Sequence, residues 1–294
     1  MGDTFVSQAV RVVSYPGIMV GGLVLLVLLE RAGVPLTLSS YLPVAAAAGL
    51  ITLHEIALPH RAAWKPGRTE IANDATFLVA VQILVPFLLS LIAALWLANR
   101  AQSSGWTLTT LWPRDLPVVI QALLMLLGAD FLRYWMHRAF HRFTPLWRLH
   151  AVHHSPHRLY WLNVGRFHPL EKAIQFLADA LPFILLGVSE PVLAVYFVFF
   201  AINGFFQHSN CSVRLGPLNY VVSGPELHRW HHSQLPTESD TNFGNNLIVW
   251  DLIFGTRFLP ADRKVETLGL QNRGYPQQFL AQMKSPFSVD PGAG

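Results

Sequence analysis

Five long apolar blocks dominate this chain and limit what it can fold into. Val12–Leu29 runs 18 residues without a charge. Ala75–Ala98 runs 24, with Thr76, Gln82 and Ser90 as its polar content. Pro35–Leu53 is looser and has Ala45–Ala48 at its centre, while Leu116–Met136 carries Asp130 and Arg133 near its end. Ala173–Phe206 spans 34 residues and breaks around Gly187–Pro191, which suits two short helices in a hairpin. Crossing a bilayer core takes about 20 mostly apolar residues, whereas apolar segments of about 10–14 fit soluble core helices. Five such blocks in 294 residues leave too little polar surface to dissolve a globule. Only 13% of the residues are charged, against roughly 25% in soluble domains. The expected class is an all-α integral membrane protein with four to six membrane helices. The first block has Arg11 as a lone preceding charge and no tight cleavage context, so it reads as a span rather than a signal peptide.

The basic residues are distributed unequally about these blocks. With the N-terminus in the cytoplasm, the loop from His54 to Asp74 is cytoplasmic and holds Arg61, Lys65 and Arg68. The segment after the fourth block holds Arg138, Arg142, Arg148, Arg158, Arg166 and Lys172, and the chain from Gln207 onward adds seven more basic residues. The opposite side keeps Arg31, Arg100 and Arg114. By the positive-inside rule this predicts a helical cap on the cytoplasmic face. The net charge of +4 is too mild and too spread out for a nucleic-acid partner. The organisation reads as N-terminal spans over 1–115, a histidine-rich region over 116–260 and a polar tail over 261–294.

Of 13 histidines, 11 fall between His137 and His232. His137 and His141 are four apart, which places both rings on one helix face. His150, His153 and His154 form one HxxHH string, and His228, His231 and His232 form another. At helical spacing each triplet is expected to aim at one centre. His208, at the end of the fifth block, offers a ninth imidazole. Neutral imidazole is the commonest metal ligand and suits iron, zinc and copper. One tetrahedral zinc takes about four ligands, so eight or nine histidines suit two metals with open positions. Cys211 is the lone cysteine, which excludes a disulfide scaffold, Cys-based zinc fingers and the usual iron–sulfur clusters. His54 and Glu55 look like half of a zincin motif, but Leu58 stands where the second histidine is required. His54, His60 and His157 are expected to take no part in a site. His168 is a candidate additional ligand or site-lining residue.

The strings HRAFH at His137–His141, HAVHHS at His150–Ser155 and HRWHHS at His228–Ser233 resemble the three histidine boxes of the fatty acid hydroxylase/sterol desaturase superfamily. FHPLE at Phe167–Glu171, QHS at Gln207–Ser209, NFG at Asn242–Gly244 and WDLIFGT at Trp250–Thr256 extend the resemblance over about residues 116 to 260. It implies a membrane-bound enzyme with two non-haem ferrous ions that uses dioxygen to hydroxylate or, less favoured, desaturate a lipid. It assigns the metals to His137, His141, His150, His153, His154, His208, His228, His231 and His232. Some members carry a further histidine a helical turn from the one matching His208; here Gly204 and Ser212 occupy those positions.

Asp130, Glu171, Glu226 and Asp251 lie in or near these motifs and are candidates to fix imidazole tautomers. Trp135, Tyr160, Trp161, Phe205, Phe206 and Trp230 flank the boxes, as an interfacial belt or as walls of a lipid tunnel. There is no Gly-x-Gly-x-x-Gly fingerprint for a nicotinamide or flavin. Electrons are therefore expected from a separate b-type cytochrome, ferredoxin or flavoprotein reductase. Two other readings remain open on the sequence: a zinc-dependent membrane hydrolase, and a non-enzymatic membrane metal or electron carrier.

Overall fold

The computed structural model describes residues 4–104 and 111–292. Among these it is helical, with three isolated β-bridges and no strand. Arg100, one of the charges on the far side, has its side chain outside the described part.

The first two blocks form a hairpin. Helix α1 (Phe5–Arg31) starts at Thr4, whose hydroxyl accepts the Ser7 N–H, and α2 (Leu36–Ala57) follows a short turn with Gly33 at φ 77°. Both pack on α9 (Glu190–His208) through Tyr15, Met19, Leu26, Ala47, Ile51, Val198 and Ile202. Between lipid-facing helices, close packing and buried polar bonds do the work that water exclusion does elsewhere. Gly22 serves that closeness: a Cβ there would stand 2.4 Å from Ile202 Cδ1. The Tyr15 hydroxyl donates to Asn203 Oδ1 at 2.7 Å in the same interface.

The third block is one continuous rod. Helix α3 (Arg68–Phe77) passes through a π-helical turn at Leu78–Ile83 into α4 (Leu84–Ser104). Gly165 lies under that turn, where a Cβ would come 2.9 Å from Leu78 Cα. The fourth block is α5 (Val118–Arg142), and α6 (Thr144–His154) folds back from it. The fifth block breaks at the expected place, in a turn with Gly187 at φ 70°, but also at Ala180, so it forms three helices and not two: α7 (Pro169–Asp179), α8 (Leu181–Leu185) and the longer α9. Five helices among the described residues are long and apolar enough to cross a membrane: α1, α2, the α3–α4 rod, α5 and α9.

Short elements close the cap: α10 (Pro225–His231), α11 (Pro236–Ser239), α12 (Val249–Phe254), α13 (Phe279–Gln282) and α14 (Ser285–Ser288). The stretch from Ala261, polar in sequence, folds against α6. Trp147 Nε1 donates to the Gly292 carbonyl at 2.8 Å, and Arg148 donates to the carbonyls of Pro286 and Val289. Gln282 donates to Ser155 Oγ at 2.6 Å. Polar side chains here serve as internal donors, which is why composition alone reads this segment as a solvated tail.

Candidate metal centre

Nine imidazoles converge in the cap in two groups. His137, His141, His150, His154 and His231 form one; His153, His208, His228 and His232 form the other. Within each group the nearest ring nitrogens lie within 4.8 Å of one another. Each HxxHH triplet is thus divided between two centres rather than aimed at one. The reason is helical geometry. Adjacent residues are about 100° apart around an α-helix, and residues four apart only about 40°. His150 and His154 share a direction and His153 does not; His228 and His232 share one and His231 does not. Two consecutive histidines at the end of each string are therefore what lets one helix serve two centres.

The ring tautomers are set from outside the groups. His137 Nδ1 faces the Phe243 carbonyl at 2.9 Å, His231 Nδ1 the Thr241 carbonyl at 2.8 Å, and His153 Nδ1 the Arg166 carbonyl at 3.2 Å. A carbonyl only accepts, so each of these Nδ1 atoms donates. His208 Nδ1 faces Asn163 Oδ1 at 2.9 Å, and that amide is oriented because its Nδ2 donates to the Arg158 carbonyl. His150 Nδ1 lies 2.7 Å from Glu171 Oε1. In neutral imidazole one nitrogen donates and the other accepts, so these five residues turn an Nε2 lone pair inward.

The inward ring nitrogens come close together. His137 Nε2 and His150 Nε2 are 2.9 Å apart; His154 Nε2 is 3.1 Å from both His150 and His231; His228 Nε2 is 3.1 Å from both His208 and His232. His137 and His150 both donate from Nδ1, so their Nε2 lone pairs face each other and repel unless a cation lies between them. Both ring nitrogens of His141 are buried with no hydrogen-bond partner among the described residues. Burial pushes His150, His153, His154, His228 and His232 well below the usual imidazole value, and neighbouring imidazoles push the same way. Burial takes His231 down to about 4 against the opposing pull of the Thr241 and Ser239 backbone. A dry, neutral, lone-pair-rich cage fits divalent transition metals.

The four carboxylates divide by role. Glu171 touches a candidate ligand directly; burial raises its carboxyl to about 8, against the pull of Arg133, Gln175 and Lys172. Asp251 acts one step away. It accepts the N–H groups of Phe243 and Gly244 and the Thr256 hydroxyl, holding the turn whose Phe243 carbonyl meets His137. Gly244 is required in that turn, since a Cβ would stand 2.1 Å from the Leu247 carbonyl oxygen. Asp130 accepts the Asn246 and Leu247 N–H groups and the Asn246 side-chain amide. Glu226 lies elsewhere, bonded to Leu215 N–H and Asn219. Backbone carbonyls at Arg166, Thr241 and Phe243, with the Asn163 amide, carry the tautomer control that carboxylates were expected to supply. Carbonyls leave no sequence signal, although Phe243 lies within the NFG string.

His168 joins neither group. It caps α7, accepting the Leu170 N–H on Nδ1, and its Nε2 lies 3.3 Å from the Met283 carbonyl. His54 is buried in α2, and His60 packs beside Trp64.

A cavity of about 810 Å³ reaches from His137, His150, His153, His208 and His228 down between α2, the π-helical turn, α4, α5, α7, α8 and α9. Trp161 and Phe205 stand on its wall. The other four flanking aromatics lie elsewhere. Tyr160 hydrogen-bonds Asp74, which also holds Arg166; Phe206 packs on Tyr15; Trp230 packs on Phe258; Trp135 is part-exposed against Phe254.

Known proteins place this architecture. The fatty acid hydroxylase family model matches residues 122–256. An ornithine lipid hydroxylase from Rhizobium tropici is 34% identical over 241 residues, covering 81% of this chain and 72% of that protein. An alkylglycerol monooxygenase from Xenopus tropicalis is 33% identical over 147 residues, 48% of this chain and 31% of that protein. A very-long-chain aldehyde decarbonylase from Oryza sativa is 31% identical over 141 residues, 47% of this chain and 52% of that protein. No solved structure matches the chain. The matched residues run from α5 to the Asp251–Thr256 turn and contain all nine converging histidines. On that match, and on similarity along most of the ornithine lipid hydroxylase, the chain belongs to the fatty acid hydroxylase family and is a membrane-spanning oxidoreductase.

Proposed function

We propose that this chain is a di-iron oxygenase that hydroxylates a membrane lipid on the cytoplasmic side. The observation that carries the reading is the two groups of inward-facing Nε2 atoms at the end of an apolar cavity. The nine histidines would hold two ferrous ions, five residues toward one and four toward the other. When bound, the metals supply dioxygen activation and attack on an unactivated C–H bond. In the balanced reaction C–H becomes C–OH, the second oxygen atom leaves as water, and a donor provides two electrons and two protons follow.

The protein's own work is positioning. Phe243, Thr241, Arg166, Asn163 and Glu171 hold the rings in one tautomer and one orientation. The apolar walls hold a hydrocarbon chain and keep water from the reacting end. The relatives are named for hydroxylation of ornithine lipid and for monooxygenation of alkylglycerols, which supports a polar-headed lipid and favours hydroxylation over desaturation. A separate b-type cytochrome, ferredoxin or flavoprotein reductase would dock on the basic cap face, where charge complementarity speeds encounter.

The test is metal content and oxygen uptake on one preparation. About two irons per chain, with lipid-dependent dioxygen consumption and a lipid product heavier by one oxygen, is the expected result. Zinc with hydrolysis and no oxygen uptake overturns it.

A further inference from the structure

The wall of the cavity nearest the histidines carries charge that the candidate ligands do not use. Arg133 on α5 and Glu171, Lys172 and Asp179 on α7 all stand on it, and all four are buried. Glu171 is committed to His150 and to the Gln175 amide. Arg133 Nη2 donates to Asn245 Oδ1 at 3.1 Å, and Nη1 lies 3.5 Å from Asp179 Oδ2. Arg133 Nε and Nη1 are buried without a hydrogen-bond partner among the described residues. The Lys172 ammonium donates to Gln175 Oε1 at 3.2 Å and otherwise lies over the rings of Phe167 and Phe200, 5.6 Å from each centroid. The Tyr196 hydroxyl on the same wall is buried and unpartnered.

Burying guanidinium and ammonium donors without full partners is expensive, and a fold keeps them so where a ligand completes them. Two cations and a hydroxyl line the same cavity here, with Asp179 as the carboxylate not already engaged by a histidine. Beyond them the wall turns apolar through Ile184, Leu193 and Phe197, opposite Val44, Ala48 and Phe87. We infer that Arg133, Lys172 and Tyr196 form a subsite for the anionic oxygen group of an amphiphile, a carboxylate or a phosphate, whose hydrocarbon part lies along the apolar wall. Arg133 precedes His137 by four residues, one turn of α5. The carbon presented for oxidation therefore lies near the polar end of the lipid and not at the chain terminus. This rests on the reading of the cavity as a lipid site and adds which lipids it takes and at which end.

The test is equilibrium binding of three radiolabelled amphiphiles to the metal-loaded, detergent-purified protein: N-dodecanoylglycine, dodecyl phosphate and 1-dodecanol. The expected result is tenfold or more tighter binding of at least one anion than of the alcohol, on the order of one charge-assisted hydrogen bond. Which anion binds tighter distinguishes a carboxylate from a phosphate source. Lys172→Met and Arg133→Gln are each expected to weaken the anion about tenfold and leave the alcohol unchanged, while Arg133→Lys retains most of the anion affinity. If Arg133→Gln fails to fold, Lys172→Met carries the comparison. Equal wild-type binding of all three overturns the subsite and leaves the lipid reading standing, as does a loss in the variants that affects anion and alcohol alike. Absence of binding by all three overturns the lipid reading of the cavity as well, whatever the iron content.

Discussion

The His150 ring and the Glu171 carboxylate meet 2.7 Å apart, Nδ1 to Oε1, with both side chains buried. Among the described residues it is the one contact between a carboxylate and a converging histidine that is short enough for a hydrogen bond; Asp240 Oδ1 lies 3.9 Å from His141 Nδ1. An acceptor at this place fixes the direction of the ring and turns Nε2 inward. Glu171→Ala removes that acceptor, so iron affinity is expected to fall by about 10–100-fold. Competitive chelator titration of iron from wild type and variant measures it, and unchanged affinity would remove Glu171 from the site.

The division of each triplet between two groups is tested by removing one histidine from each. His231→Ala and His153→Ala are expected to lower iron from about two per chain to about one or less, and turnover by on the order of a hundredfold or more. His54→Ala and His168→Ala change histidines outside both groups and are expected to keep full iron content. Elemental analysis of all four variants decides the map.

Removing metal leaves the His137 and His150 lone pairs facing one another at 2.9 Å. Chelation is therefore expected to lower the unfolding midpoint by several degrees, with recovery on anaerobic addition of ferrous ion. The chelated protein also acquires a pH dependence. Unfolded histidines titrate near 6.5, whereas buried His150, His153, His154, His228 and His232 titrate far lower and His231 at about 4. Below about pH 6.5 the unfolded chain takes up protons that the folded chain refuses. The histidine contribution to stability then falls as the pH falls, by at most about 1.4 kcal/mol per histidine per pH unit, offset by one proton at Glu171, whose raised carboxyl keeps what the unfolded chain releases between about 4.5 and about 8. Thermal scans across that range read the slope, and a midpoint rising on acidification contradicts it.

Ala48 on α2 and Trp161 both line the cavity. Ala48→Trp is expected to fill the apolar arm, lowering turnover at least about tenfold through misplacement of the chain while leaving iron content unchanged. Turnover at the wild-type level would mean that substrate reaches the histidines by another route.

The spans were legible because a bilayer imposes length and apolarity directly on sequence, as Val12–Leu29 and Ala75–Ala98 illustrate. The break before Pro191 followed from Gly and Pro, which do not continue a helix, and the shared faces of His137 with His141 and of His150 with His154 followed from helical spacing. The roles of the flanking groups were not legible. Trp135 and Trp161 read alike in sequence, yet one is part-exposed and the other lines the cavity. Asp130, Glu226 and Asp251 read as equivalents of Glu171, yet each spends its oxygens on backbone or amide groups.

The sequence by itself therefore determined the membrane helices and the histidine strings set at ligand spacing, because both are local consequences of residue type and helical period. The tertiary structure decided which histidine goes to which group and which nitrogen of each ring faces inward. It also decided that Arg133 and Lys172 share one wall of the cavity. Those relations join α5, α6, α7, α9, α10 and the 241–247 turn, and their carriers are largely carbonyls and distances between helices, to which no local sequence pattern corresponds.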